Sequence, residues 1–301
     1  MRRASSPAPP WCIAAVLALA GAAGATETPA DPLREIKSES LFYNVRAWQG
    51  SKVFTINVGS CMFTLARDDA AGEPQLVLCA AAKAGVPAYP YEATMVSRLR
   101  DSDYQPRDFF NQRTKKSYKK RWLHFVPGGV NYLQHKHCDA PTLCHNPAHL
   151  AKQSHCPGCH DPAHYVWSLR RRQRFDGRAW DMLSAIYLAR ALDLQPGGPT
   201  RTIRVATTSE LLDVDIRAVG EETITVPAGI FPCLKIALDS RTVGAADADD
   251  ADSEGFFGLQ GSAELFVDRQ SHHLVLIRGK VKLGANFDVE VALQSRKVET
   301  Q

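Results

Sequence analysis

The sequence predicts a mainly β protein: a large curved antiparallel sheet, or a partly open β-barrel meander, wrapped on one central helix. Three observations predict this class. Apolar and polar residues alternate over much of the chain, turn-forming residues separate the alternating segments, and residues 179–192 have the apolar spacing of a helix. Meanders with one apolar face suit an antiparallel sheet that curls around a core. We expect residues 41–295 to form a single β-rich domain.

The first strands also suggest a disulfide. Residues 41–48 alternate between apolar and mostly polar positions, and strand patterns on either side of residues 67–74 continue this alternation. If the turn is centred near Ala70, Cys61 lies opposite Cys79, and facing residues of antiparallel strands can be bridged. Cys61 and Cys79 are therefore a disulfide candidate, and the alternative is two buried thiols.

The helix at residues 179–192 has a continuous apolar stripe, formed by Trp180, Leu183, Tyr187 and Ala191. Asp181 lies in its first turn, where the helix dipole favours an acid, and Pro196 ends the pattern soon after it. We expect a helix that packs into the core and has no chemical role. Strand patterns follow it to Leu293, with turns predicted at residues 226–229 and 268–271.

Charge limits the classes of partner. The chain has 36 Lys and Arg against 32 Asp and Glu, a net charge of +4, which is too small for a strongly basic nucleic-acid binder. Two basic clusters, at residues 113–121 and 170–174, are typical of a solvated face or a hairpin tip. No aromatic stacking platform accompanies them in the sequence, so we expect no nucleic-acid partner.

The N-terminus predicts export. Two arginines precede a short apolar run at residues 11–20, and residues 23–25 fit a signal-peptidase site, so residues 1–25 read as a cleaved signal peptide. The run is too short to span a membrane, and no later apolar segment is long enough. We expect a periplasmic or secreted protein with no membrane span. Residues 26–40 are polar and are expected to form a flexible N-terminal arm.

A Cys/His-rich insertion spans residues 134–166. Residues 135–164 hold four of the eight cysteines and seven of the ten histidines, in two units that read His-Cys, a spacer and Cys-His-Asn/Asp-Pro-Ala-His. Thiolates and imidazoles bind structural zinc, which takes about four ligands in a tetrahedron. The pattern predicts a zinc-like metal site, either one ion held by four thiolates or one ion in each unit. The candidate ligands are Cys138, Cys144, His149, Cys156, Cys159 and His164.

Three other interpretations of this insertion stay open. Cys156, Cys159 and His160 form a CPGCH motif, which would attach a c-type haem through two thioethers and a proximal histidine. Disulfides could instead staple a segment that is poor in apolar residues. A redox CxxC would need a thioredoxin-like context, which the sequence does not show. The first unit also resembles the zinc knuckle of some HNH endonucleases, without their catalytic context.

Further residues resemble a known family. Phe175-Asp176 and the helix sequence WDMLSAIYLAR, from Trp180, resemble the helix of the bacterial exported domain-of-unknown-function family 3108. The resemblance continues through the VPAG turn at residues 226–229 and ends with a hairpin at residues 265–284. It implies a signal peptide and a large, partly open antiparallel β-structure wrapped on the helix. The family has no established activity, and the Cys/His insertion departs from its pattern.

These observations lead to an expected function. We expect a non-catalytic binding or structural protein of the cell envelope, whose sheet binds an apolar small molecule or lipid or docks an envelope protein. Electron transfer through a c-type haem is the alternative. Enzyme chemistry has little support, because Ser271, His272 and His273 near Asp268 are more typical of a polar surface turn than of a triad. Cys233 is typical of a buried thiol in a strand.

Overall fold

The structure, a computed structural model, describes residues 33–52, 55–68, 74–86, 89–114, 119–137, 165–243, 259–282 and 286–300. These residues form fourteen strands and one helix, α1 (Met182–Ala191). The strands are β1 (Ile36–Trp48), β2 (Ile56–Asp68), β3 (Gln75–Val86), β4 (Tyr89–Arg100), β5 (Pro106–Thr114), β6 (Lys119–Val126), β7 (Gly129–His137), β8 (Tyr165–Arg174), β9 (Arg201–Ala206), β10 (Leu211–Val226), β11 (Gly229–Thr242), β12 (Gln260–Asp268), β13 (Leu274–Lys282) and β14 (Asn286–Thr300).

All fourteen strands belong to one antiparallel sheet in the order β8-β7-β6-β5-β4-β3-β2-β1-β14-β13-β12-β11-β10-β9. Two meanders, β1–β8 and β9–β14, are joined where the first and last strands of the chain pair. The two edge strands, β8 and β9, are consecutive in the chain, with α1 between them. The predicted class is confirmed: the protein is mainly β, and its sheet is antiparallel, not closed and wrapped on a helix.

The segment before α1 lies beside one sheet edge. The backbone N–H of Trp180 donates to the carbonyl of Arg204 at 2.8 Å, and the N–H of Ala206 donates to the carbonyl of Trp180 at 2.7 Å. Arg121 of β6 reaches the turn after β9, where its Nη1 donates to Thr208 Oγ1 at 2.9 Å. The first two bonds join edge strand β9 to the segment between β8 and α1, and the third joins the turn after β9 to β6.

Helix α1 begins with a capping box formed by Asp181 and Ser184. The Asp181 carboxylate accepts from the backbone N–H groups of Leu183 at 2.9 Å and Ser184 at 3.0 Å, and the Ser184 hydroxyl accepts from the Asp181 N–H at 2.9 Å. Asp181 is therefore the N-cap, and the helix begins after it at Met182, not at the predicted residue 179. Ser97 of β4 donates to the same carboxylate at 2.6 Å and joins the helix to the sheet.

The core lies between α1 and the sheet. Leu183, Ile186 and Tyr187 of the helix are each at most 2% exposed, and α1 packs against β3, β4 and β9. The strand alternation predicted from the sequence places apolar residues inward, as at Leu212, Val214 and Ile216, which are all buried. The helix thus has the expected core-packing role.

Strand β1 starts earlier than the sequence indicated. Residues 36–40 fall within the predicted flexible arm, but they pair with β14 and β2. The apolar–polar alternation did not reveal the start of β1, because a charged residue, Glu39, occupies a buried position there. The predicted signal peptide and the arm up to residue 32 lie outside the described residues.

Both predicted hairpin turns form. Residues 227–228 connect β10 to β11, and residues 269–273 connect β12 to β13. Gly229 has a φ of +137°, a backbone conformation that side chains disfavour, which explains the glycine of the VPAG motif. Within the described part of the chain, no helix has the length and hydrophobicity needed to cross a bilayer.

Candidate functional site

The predicted metal and haem ligands lie outside the described residues. They are Cys138, Cys144, His149, Cys156, Cys159, His160 and His164. The strands on either side are described: β7 ends at His137, β8 begins at Tyr165, and these two residues are register partners. Both ends of the Cys/His segment therefore start from one point near the edge of the sheet. In the described ranges, no group of three or more His, Cys, Asp or Glu residues could hold a metal ion.

The predicted Cys61–Cys79 disulfide is wrong in this structure. Cys61 pairs with Ala82, and Cys79 pairs with Thr64, so the two cysteines lie on opposite faces of the sheet. Both are free thiols. The register differs because the connection between β2 and β3 is centred beyond Ala70, and a shift of an odd number of residues exchanges the two faces.

Cys233 is a buried thiol, as expected, with 1% exposure in β11. Burial, together with the carboxylates of Asp268 and Glu222, raises its pKa to about 12. Burial also raises the pKa of the Cys61 thiol to about 12. Neither thiol is suited to nucleophilic attack, because the thiolate is the reactive form.

A buried ionic cluster joins α1 to the sheet. The Arg190 guanidinium donates from Nη1 to Glu39 Oε1 at 2.8 Å and from Nη2 to Oε2 at 2.7 Å. Its Nε donates to the carbonyl of His272 at 2.8 Å, and His273 Nδ1 lies 2.8 Å from Glu39 Oε2. The guanidinium also lies over the ring of Tyr187, 4.7 Å from its centre. One arginine thus holds the helix, β1 and the β12–β13 turn together.

In this cluster the negative charge of Glu39 is paired with the positive charge of Arg190. Burial alone would raise the pKa of Glu39, but Arg190 and His273 outweigh burial and lower the pKa to about 2. The side chains of Glu39 and Arg190 are at most 1% exposed, and that of His273 is 7% exposed. A substrate has no access to them, so the cluster acts as a structural clamp.

The position of His273 differs from the sequence-based prediction. The sequence suggested that His272 and His273 are polar residues of a surface turn, but His273 is buried and contacts Glu39. Sequence reasoning could not pair these residues, because Glu39, Arg190 and His273 lie far apart along the chain.

A second group of side chains lies on strands β5–β8, on the face opposite the core. We call it the aromatic face. The ring of Trp167 lies 6.1 Å from Phe110, 5.9 Å from Trp122 and 5.0 Å from His135, between ring centres. Trp167 is 40% exposed, and Leu169, on the same face of β8, is 46% exposed. The cations that strand pairing puts on this face are Lys120, Arg172 and Arg174.

Three of the four strands that carry this face are one-sided in charge, and on the fourth, β5, the carboxylate of Asp108 lies 2.9 Å from Arg98 of β4. Together β6, β7 and β8 contain eight Lys or Arg residues and no Asp or Glu. Arg172 and Arg174 are exposed. Burial, with a contribution from Lys120, lowers the pKa of His135, so this ring is neutral at pH 7. The aromatic face therefore combines exposed apolar groups with a positive potential.

The two basic clusters seen in the sequence belong to this region. Arg170 and its neighbours lie in β8, whereas residues 113–114 end β5 and residues 119–121 begin β6; residues 115–118 lie outside the described residues. The sequence showed no aromatic platform beside them, because Phe110, Trp122 and Trp167 come from different strands. Strand pairing brings these rings together: Phe110 pairs with Trp122, and His135 pairs with Trp167.

No curated protein is significantly similar to this chain. Among solved structures, the chain is similar to a beta-barrel-like protein of the domain of unknown function DUF1849 from Brucella abortus. That match has 7% identity and a TM-score of 0.49, and it covers 88% of this chain and 99% of the other. A protein from Bacteroides fragilis with a YmcC-like fold, provisionally described as exported, is 12% identical with a TM-score of 0.32, covering 86% and 95%. One from Parabacteroides distasonis, provisionally described as a lipoprotein, is 8% identical with a TM-score of 0.31, covering 88% and 98%.

The family comparison bears on the second half of the chain. Residues 168–291, from β8 through α1 and into β14, match the model of a family described as "Protein of unknown function (DUF3108)". This segment contains the helix and the VPAG turn on which the resemblance was based, and it begins after the Cys/His segment. The predicted resemblance is thereby confirmed: residues 168–291 of this chain carry the pattern of the DUF3108 family.

Proposed function

We propose that this chain is an exported, non-catalytic protein of the cell envelope that binds an anionic lipid surface through its aromatic face. One observation carries the proposal. Strands β6–β8 have eight cationic residues and no acidic one, while Trp167 and Leu169 are 40% and 46% exposed on the face they share. Cations attract lipid phosphates, and exposed apolar groups enter the boundary between headgroups and acyl chains.

A surface ligand agrees better with the packing than a ligand inside the sheet. The core side of the sheet is covered by α1, whose residues Leu183, Ala185 and Ile186 are each at most 1% exposed. An apolar small molecule enclosed beside the helix would have to displace these contacts. The proposed partner therefore binds the opposite face of the sheet.

The face could also suit single-stranded nucleic acid, which binds cationic surfaces with stacked aromatic rings. Its rings pack edge to face, with interplanar angles of 65° for Phe110 and Trp167 and 69° for Trp122 and Trp167. This arrangement presents ring edges more than open parallel faces. The signal-peptide pattern also favours a partner in the envelope over nucleic acid.

The test is sedimentation of the purified full chain with phosphatidylcholine vesicles that contain or lack phosphatidylglycerol. We expect binding only to the anionic vesicles, weakened by salt. The variant Arg172→Gln/Arg174→Gln should bind about thirtyfold more weakly, since each cation near an anionic surface contributes about 1 kcal/mol. Trp167→Ala should bind about tenfold more weakly through loss of apolar contact.

Matched controls come from the other half of the sheet. Ile230 is 70% exposed, and Arg217 lies 3.1 Å from Asp239. Ile230→Ala and Arg217→Gln should bind vesicles like the unaltered protein. Equal binding to neutral vesicles, or equal losses from the control variants, contradicts the proposal. Tight binding to oligodeoxythymidylate without vesicle binding would assign the face to nucleic acid instead.

We also propose that the Cys/His segment binds a structural zinc ion through ligands from Cys138, Cys144, Cys156 and Cys159, with His149 and His164 as the imidazole candidates. The duplicated sequence unit supports this, as does the pairing of His137 with Tyr165 at the two ends of the segment. A metal that joins the two units would order a long connection between adjacent strands.

Elemental analysis, visible absorption and a free-thiol count on one sample from the periplasm test this second proposal. We expect bound zinc, no visible absorption and loss of the zinc in Cys156→Ser/Cys159→Ser, with Cys79→Ser as the control. A Soret band would assign Cys156, Cys159 and His160 to a c-type haem. Reduced thiols with no bound ion and no haem would reject both the zinc interpretation and the haem interpretation.

A further inference from the structure

An open groove crosses strands β1–β5 on the side of the sheet that faces away from the core. Its volume is about 580 Å³, within the usual range of small-molecule sites. Five residues of its lining form one row across the strands, each paired with the next: Phe42, Met62, Ala81, Thr94 and Gln112. Tyr43, the next residue of β1, is 1% exposed and belongs to the core, and successive residues of a strand point to opposite faces. The row therefore lies on the outer side of the sheet.

A β-bulge in β14 adds Gln294 to the lining of this groove. Phe42 pairs with Ser295, whereas Tyr43 pairs with Leu293, so Gln294 is an extra residue between two register pairs. Bulges redirect a side chain and are frequent beside functional sites. The bulge therefore gives the groove a carboxamide that regular pairing would not place there.

The amide nitrogen of Gln294 is a buried hydrogen-bond donor. No acceptor among the described residues lies within hydrogen-bond reach of its Nε2. Buried donors without a partner are costly and are rare in native proteins, so such a group needs an explanation. An oxygen atom of a ligand in the groove would accept this hydrogen bond.

The groove has no net charge. Its two charged side chains, Lys83 and Glu92, are register partners whose charged atoms lie 3.8 Å apart. Amide and hydroxyl groups supply the rest of the polar lining, from Asn44, Ser60, Thr94, Gln112 and Gln294. No hydrogen bond among the described residues engages the side chains of Asn44, Thr94 or Gln112, so these groups are open to a ligand. Amides both donate and accept, which suits a neutral ligand with several hydroxyl groups.

Phe42 adds an apolar surface beside these polar groups. It is 42% exposed, although it is a large hydrophobic residue, and its register partner Met62 is half-buried. The small side chain of Ala81 leaves room above the middle of the row. A sugar ring has matching chemistry, because its C–H face can pack on an aromatic ring while its hydroxyl groups bond to amides.

We propose that this groove binds a neutral oligosaccharide, with one sugar ring packed on Phe42 and one sugar oxygen accepting from Gln294. The groove lies on β1–β5 and β14, whereas the cations and exposed apolar groups of the proposed lipid surface lie on β6–β8. This inference therefore goes beyond the proposed function. The sugar could belong to a polysaccharide chain or to a short free saccharide, since both present the same hydroxyl groups.

Isothermal titration calorimetry on the full chain tests the proposal with three neutral probes: maltotetraose, cellotetraose and tetra-N-acetylchitotetraose. Gln294→Met removes the amide donor and keeps the length of the side chain, and Phe42→Ala removes the ring. We expect each variant to bind the best probe about tenfold more weakly. Phe42→Tyr keeps the ring and should bind within about twofold of the unaltered protein.

A groove-filling variant and two controls complete the test. Ala81→Leu fills the middle of the groove without removing a polar group, and it should abolish binding. Ile230→Ala, at an exposed position of β11, and Trp167→Ala, on the aromatic face, should bind the sugar like the unaltered protein. Thermal unfolding verifies that each variant is folded.

Three results would overturn the proposal: none of the three probes binds, a folded Gln294→Met or Ala81→Leu variant binds as tightly as the unaltered protein, or Trp167→Ala loses sugar binding. Tighter binding of the tetrasaccharide than of the matching disaccharide supports a polysaccharide chain, and equal affinity supports a short free saccharide. Because vesicle binding is tested with variants of β8, failure of the groove is distinguished from failure of the aromatic face.

Discussion

Two regions of the sheet differ in how their cationic side chains are paired with carboxylates. On β11–β13, Lys235 lies 5.6 Å and Arg278 lies 4.8 Å from the ring centre of Phe266. Each cation is matched by a carboxylate, Glu264 at 2.6 Å and Glu290 at 3.2 Å. Phe266 is fully buried beneath them. Here the cations complete the packing of the fold.

Three of the strands that carry the aromatic face, β6–β8, contain cations but no Asp or Glu. Its central ring, Trp167, is 40% exposed, whereas Phe266 is not exposed at all. Charges of one sign repel one another, and this repulsion opposes folding. Matched cations are therefore explained by the fold, and the excess on β6–β8 is the feature on which the proposed lipid binding rests.

The largest expected effect concerns the most deeply buried matched pair, Arg190 with Glu39. Arg190→Met removes the guanidinium and leaves a buried carboxylate beside His273. Breaking a buried ion pair in this way costs about 3–5 kcal/mol. We expect that loss in the free energy of unfolding, measured by urea denaturation.

A double variant provides the control. Glu39→Leu/Arg190→Met removes both charges and should be more stable than Arg190→Met alone, because no isolated charge is left in the core. A single variant that loses less than about 1 kcal/mol would show that the pair does not hold α1 to β1.

The same pair sets an expected pH dependence. The pKa of Glu39 falls from 4.5 to about 2 on folding, so its stabilisation is fully present above pH 4.5 and is lost as the pH drops towards 2. The contribution is about 3 kcal/mol. Urea unfolding at several pH values should show a steep loss in this window that Glu39→Gln lacks. A Glu39→Gln profile as steep as that of the unaltered protein would refute this assignment.

A smaller effect is expected where β4 meets the helix cap. Ser97 is fully buried, and its hydroxyl donates to the Asp181 carboxylate at 2.6 Å. Ser97→Ala leaves that buried oxygen with one donor fewer, at a cost of about 2 kcal/mol in the free energy of unfolding. Ser60→Ala, at an exposed position of β2, is the matched control and should change stability by less than about 0.5 kcal/mol. Equal losses from both variants would contradict the role of Ser97.

The sequence predicted what depends on local patterns. Alternation identified the meander, the apolar stripe identified α1, and the VPAG motif identified the β10–β11 turn, because each pattern reports nearby residues of one element. It failed where position depends on distant contacts. Polar composition hid the start of β1, since Glu39 is buried only because Arg190 and His273 meet it there.

The candidate sites show the same division. Cys61 and Cys79 were placed opposite each other, but a small error in the centre of one turn put them on opposite faces of the sheet. The aromatic face went unrecognised because Phe110, Trp122 and Trp167 are joined only by strand pairing. One signal was readable: no acidic residue occurs in residues 119–137 or 165–174.

The smallest expected effect comes from comparing Arg278, beside Phe266 on β11–β13, with Arg172 on the aromatic face. Arg278→Ala uncovers the ring of Phe266 and leaves Glu290 without that partner, so we expect a loss of about 1 kcal/mol in the free energy of unfolding. Arg172→Ala on the aromatic face should change it by less than about 0.5 kcal/mol, since Arg172 is exposed and its strands offer no carboxylate. Urea unfolding at low ionic strength measures both. If Arg172→Ala were the more destabilising variant, the cations of β6–β8 would serve the fold, and the case for a lipid partner would lose its physical basis.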